Sequence, residues 1–100
     1  MLDQIFQQIH QKRFDLLLDR SYDFAVRIVR LNKYLNNTFK EKILSSQILR
    51  SGTSIGANVA EAQHAQSKAD FAAKLNIALK ETGETKYWLR LLHETDYCTD

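Results

Sequence analysis

Proline is absent from this chain, and in 100 residues glycine occurs three times and cysteine once. Strands and tight turns are punctuated by proline and glycine, so their scarcity favours helices joined by few turns. A lone Cys98 excludes a disulfide within the chain. With no signal-peptide pattern and no long apolar run, it points to a reducing, cytoplasmic setting and no membrane partner. The net charge of +2 is too small to name a partner. Its distribution is uneven: residues 1–50 carry nine Lys/Arg against five Asp/Glu, and residues 51–100 carry five against seven. That asymmetry suits either a basic face or complementary packing between subunits. The length allows one domain with a small core, a size that oligomerisation often completes.

What the chain does have is helical periodicity. Leu2, Ile5, Phe6 and Ile9 follow an i, i+3, i+4, i+7 pattern, which predicts a short amphipathic helix over residues 1–13, or the first turns of a longer one. A first long helix is expected over residues 14–35. Leu17, Phe24, Ile28, Leu31 and Leu35 form one stripe on it, and Phe14, Leu18, Tyr22, Ala25 and Val29 the adjoining one. Asn36 and Asn37 tolerate turn conformations and mark a break. Thr38-Phe-Lys-Glu41 then reads as a capping box opening a second helix over residues 39–64. Ser67-Lys-Ala-Asp70 reads as another, opening a third helix over residues 68–95.

The second helix contains the least ordinary stretch, Gln47 to Ala62. Leu44, Ile48, Ile55 and Val59 share one side, and Gln47, Ser51, Ser54, Asn58 and Glu61 a neighbouring one. Gly52, Gly56, Ala57 and Ala60 lie between, so other helices can approach closely. Glycine inside a helix costs about 1 kcal/mol relative to alanine, which tight packing should offset. Polar side chains turned toward a bundle interior need partners. The spacing predicts a structural network of Gln47, Arg50, Ser54, Asn58, Glu61 and Glu84 between the second and third helices. A phosphate-binding loop is not supported, since no Gly-Lys-Ser/Thr follows and no strand precedes.

No complete site for chemistry emerges. Glu61-Ala-Gln-His64 has the Glu-x-x-His spacing of di-iron bundles, but that centre needs a second such motif and two further glutamates. His93 has Arg90 at i−3 instead. Ser54 has no recognisable His and Asp partners. Glu61, Glu81 and Glu84 could gather for acid–base work, but acceptance of hydrogen bonds in a polar network is the plainer reading. The expectation is a protein without catalytic residues, metal or cofactor.

Two surfaces remain. Arg20, Arg27, Arg30, Lys33, Lys40, Lys42 and Arg50 form the most basic region, with Tyr34 and Phe39 interleaved, and are the candidate contacts for RNA or DNA. An ordinary solvated face accounts for the same residues. Tyr87, Trp88, Leu91 and Leu92 make the richest apolar patch, expected as core or subunit interface.

Gln47-Ile-Leu-Arg-Ser-Gly-Thr-Ser-Ile-Gly-Ala-Asn-Val-Ala-Glu61 resembles the second-helix signature of the four helix bundle protein family. That family was first met as proteins encoded by intervening sequences in bacterial 23S ribosomal RNA genes. Ser67-Lys-Ala-Asp-Phe71, Leu75-Asn-Ile-Ala78 and Lys80-Glu-Thr-Gly-Glu-Thr-Lys-Tyr-Trp-Leu89 look like its third helix. The resemblance covers roughly Phe14 to Tyr97. It implies an all-α, antiparallel up-and-down four-helix bundle, non-enzymatic and cytoplasmic, with ring-shaped homopentamers among its members. Related accessory proteins of diversity-generating retroelements bind nucleic acid and a reverse transcriptase, so RNA, DNA or another protein are implied partners beside a second copy. Three departures stand out. Ala62 occupies the place of a usual glycine, Gln63-His-Ala-Gln66 replaces a basic turn, and the sequence stops where a fourth helix is expected. Residues 1–13 or another subunit are then the expected occupants of the fourth position. The expected function is a nucleic-acid-associated bundle, with a structural oligomerisation or protein-interaction module as the alternative.

Overall fold

A computed structural model describes residues 1–98. Among them three helices make an all-α bundle: α1 (Leu2–Phe39), α2 (Ile43–Ala62) and α3 (Lys68–Glu94). The capping of α3 follows the expected chemistry. The Ser67 hydroxyl accepts from the Asp70 backbone N–H at 3.0 Å, and the Asp70 carboxylate reaches back to the Gln66 N–H at 3.2 Å.

The α1–α2 junction differs from the expectation. Residues 1–13 and 14–35 are one uninterrupted helix, which passes Asn36 and Asn37 and runs to Phe39. The asparagines do not break it because the neighbouring helix uses Asn36. The Asn36 amide nitrogen donates to Asn32 Oδ1, and its oxygen accepts from Ser45 Oγ of α2 at 3.0 Å. The stop comes at Lys40, which takes a left-handed conformation (φ 56°, ψ 25°) while its N–H bonds to the Leu35 carbonyl. Thr38 lies inside α1, so it caps nothing. Glu41 acts from in front of α2, its carboxylate accepting from the N–H groups of Ile43, Leu44 and Ser45 at 3.2, 2.9 and 2.8 Å. The second helix is accordingly shorter at both ends than expected.

The helix α2 lies between the other two. At one end of the bundle the Phe14 and Phe71 rings meet at 5.5 Å, and at the other Phe39 and Tyr97 meet at 5.1 Å. Both contacts pair like ends of α1 and α3, so these helices run parallel to each other and antiparallel to α2. Their backbones stay apart: no Cα of α1 comes within 8 Å of one in α3. The small residues of α2 let it take the middle position. A Cβ on Gly52 would stand 2.8 Å from an Ile28 side-chain carbon, and one on Gly56 would stand 3.0 Å from the Ser21 carbonyl oxygen. The core sits toward the Lys40 turn, where Ile28, Leu35, Ile48 and Leu92 are buried together.

At about 1.5 Å per residue, a 38-residue helix is about 57 Å long, and the molecule's longest extent is 56 Å. The radius of gyration is 16.2 Å, against roughly 13 Å for a compact domain of this length. No helix among the described residues is long and apolar enough to cross a membrane.

Candidate functional site

The first polar feature is a clip between α2 and α3. The Arg50 guanidinium pairs with Glu84 and, at 3.2 Å, with Glu81. The Trp88 indole N–H donates to the same Glu84 oxygen at 3.0 Å. The Trp88 hydrogen bond and the guanidinium hold the Glu84 carboxyl below the usual carboxylate range. The same clip raises the already high pKa of Arg50, chiefly through its hydrogen bond to Glu84. Ser54 and Asn58 turn to their own helix, donating to the carbonyls of Arg50 and Ser54 at 2.6 and 2.8 Å. Gln47 and Glu61 are exposed and stand outside the clip.

Two buried polar contacts had no place in the sequence reading. The Ser51 and Thr85 hydroxyls are hydrogen-bonded across the α2–α3 interface at 3.0 Å, and both residues are fully buried. On the α1 side, Asn32 Nδ2 donates to the Ser45 carbonyl at 3.1 Å beside the Asn36–Ser45 bond. The available signal was the smallness of both residues, Ser45 on the apolar side of α2 with Ile48 and Val59, and Ser51 on the polar side next to it. Small hydroxyls can be buried at close helix contacts because the partner helix supplies their hydrogen bonds.

The basic candidates separate. Arg20, Arg27, Arg30, Lys33, Lys40 and Lys42 are exposed, and among the described residues none forms an ion pair within 4.0 Å. Arg50 differs, since its charge is matched by two glutamates. The apolar candidates separate as well. Leu92 is fully buried in the chain's own core, whereas Tyr87 is 60% exposed, its ring edge-on to Trp88 at 5.1 Å. Trp88 and Leu91 are half-buried. Cys98 packs against the core, and burial pushes its thiol up. Glu61 and His64 are both exposed, and His64 lies past the end of α2.

The expected fourth position of the bundle is an open groove between α1 and α3, about 330 Å³ in volume, and residues 1–13 do not fill it because they continue α1. Leu17 and Phe24 form one wall, Leu89 the other, and Ile55 of α2 the floor. Its rims carry Arg20 on α1 and Lys86 on α3. The residues were legible as apolar stripes, but nothing in periodicity tells an open groove from a closed core. A second apolar surface lies on the first turns of α1, where Leu2 and Phe6 are 72% and 60% exposed.

Comparison with known proteins places this arrangement. A crystal structure from Bacteroides thetaiotaomicron, of a protein of unknown function from the S23 ribosomal protein family, matches with a TM-score of 0.81 and 63% identity. The match covers 82% of this chain and 76% of that one. No curated protein sequence matches. The family model for the 23S rRNA-intervening sequence protein matches residues 16–100, which takes in α2, α3 and all of α1 but its first turns. The chain belongs to the 23S rRNA-intervening sequence protein family.

Proposed function

We propose that this chain is a non-catalytic assembly module that works by self-association. Its surface carries the reading. The chain exposes 7543 Å², whereas a compact monomer of 11.6 kDa exposes about 5,800 Å² by the usual scaling of area with mass. The excess is comparable to what each partner buries in a permanent subunit interface, on the order of 1,000–2,500 Å². Much of it is apolar and contiguous along the start of α1, an arrangement that marks interaction surfaces. Closed symmetry would cover it in every copy, and the family resemblance favours a pentameric ring. The setting is a reducing cytoplasm, a reading supported by the lone, half-buried thiol of Cys98. Sedimentation at micromolar concentration tests the proposal. A single larger species is expected, and a monomer with cooperative, concentration-independent unfolding overturns it.

Nucleic-acid association is the second reading, supported by the six exposed basic residues from Arg20 to Lys42 that have no ion-pair partner among the described residues. Phosphate contacts release counterions, so binding through them falls steeply with salt. Charge reversal of Arg27 and Arg30 together should weaken binding to every sequence alike and flatten the salt slope. Unchanged affinity in that double variant removes the reading.

A further inference from the structure

The outward side of α1 carries charges that its own chain does not match. Ser21, Ile28 and Leu35 turn the inner side of this helix to the bundle and are buried. About half a turn round, Asp15, Asp19, Tyr22, Val26, Val29 and Lys33 follow one another at alternating steps of four and three residues, the spacing of a helix–helix seam. This seam lies across the helix from Leu17 and Phe24, so a helix in the fourth position would leave it open. Tyr22 is 68% exposed and Val29 37%, with Val26 half-buried between them. Asp15, Asp19, Lys33 and the neighbouring Arg30 are exposed, and among the described residues none of them forms an ion pair within the chain. Asp15 accepts a hydrogen bond from Gln11 Nε2, one turn back, at 3.0 Å, which leaves its charge unmatched.

The acids stand at one end of the seam and the cations at the other. Two such helices laid parallel would set acid on acid and cation on cation. Turned antiparallel about a two-fold axis at the level of Phe24, they set Tyr22 of each over Val26 of the other, and Asp15 of each beside Lys33 of the other. Both pairs are symmetric about residue 24 in the sequence. Asp19 then comes beside Val29 and Arg30 of the other copy. The two Asp23 residues come near the axis, each offset by Arg27 one turn on in its own helix. Opposite charges across a helix pair fix the choice of partner and its direction. The segment that presents the acids also presents their complement, which selects a second copy over a foreign helix.

We infer that the outward side of α1 pairs antiparallel with the same side of a second copy, the acidic end of each on the cationic end of the other. The inference rests on the self-association proposed above and adds a contact to it. A two-fold contact joins two copies and closes, so it stands beside a ring contact through the start of α1 rather than in its place. The test compares the full chain with two variants altered only at exposed positions. Asp15→Lys/Asp19→Lys makes both ends of the seam basic, and Arg30→Glu/Lys33→Glu makes both ends acidic. Each variant alone should keep its helical circular dichroism but sediment at a lower mass than the parent at micromolar concentration, with association at least about tenfold weaker. An equimolar mixture of the two should regain the parent's mass, because each then supplies the charge that the other lacks. High salt should lower the parent's mass in the same direction. Parent-like mass in either variant overturns the inference, and so does a mixture that fails to regain it. A surface that associates through bound RNA would be weakened by the glutamates and strengthened by the lysines, so loss in the glutamate variant alone also overturns it. A monomeric parent removes the self-association reading as a whole, whereas an assembled parent whose mass neither variant changes removes this contact only.

Discussion

Three glycines stand in helices, and each meets different surroundings. Gly56 faces backbone of α1, so an added methyl has nothing that can yield. Gly52 faces the buried Ile28 side chain, which would have to move. Overpacking of this kind costs about 1–3 kcal/mol, partly offset by about 1 kcal/mol of helix propensity. Gly56→Ala and Gly52→Ala should each destabilise the chain by up to about 2 kcal/mol in chemical denaturation. Gly83 has nothing within 4 Å of its would-be Cβ. Gly83→Ala should therefore stabilise by about 0.5–1 kcal/mol. A loss at position 83 would mean that another molecule approaches there. At the same scale, Glu84 links stability to pH. Its carboxyl is held below the usual range by Trp88 and Arg50. A depressed carboxylate adds stability that is complete above the ordinary glutamate range near pH 4.3 and is lost as the pH falls through the folded value. Melting temperatures from pH 7 down to about pH 3 should fall less steeply for Glu84→Gln than for the parent. Identical acid limbs would show that the clip contributes nothing.

Among the elements, the turn between α1 and α2 separates what the sequence discloses from what it conceals. The Ser67–Asp70 start of α3 was legible because the cap is local, a hydroxyl and an N–H three residues apart. The end of α1 was not, because two signals competed. Asn36 and Asn37 favour turns when considered alone, but Asn36 finds its partner in Ser45, nine residues away. The same residue types close a helix or continue it, depending on a contact that only the tertiary fold supplies. The stop falls on Lys40, a side-chain-bearing residue in the left-handed region that usually takes glycine. Lys40→Gly should raise stability by about 0.5–1 kcal/mol, measured as a shift in denaturant midpoint with unchanged slope. The candidate sites divide in the same way. Arg50 with Glu84 was legible as two charges on facing helices, whereas the Ser51–Thr85 contact needed the register of α2 against α3, which no single helix encodes.

For the whole molecule, the extended shape follows from one helix much longer than its partners. The apolar residues at its start rest on little of their own chain. If they hold copies together, Leu2→Glu with Phe6→Glu should reduce the sedimenting species toward a monomer while leaving the circular dichroism of the rest of the bundle in place. The central position of α2 also orders the molecule in time. Its two neighbours touch each other only through side chains, so either can swing away and leave the other pair standing. Removing α2 leaves no pair at all. Local opening of α1 or α3 therefore requires less free energy than opening of α2, and native-state amide hydrogen exchange should find the slowest protons around Ile48, Ser51 and Gly52. Those amides would report the opening of the entire fold, and the amides of the outer helices would report partial openings in which one of them leaves while the middle helix keeps its place.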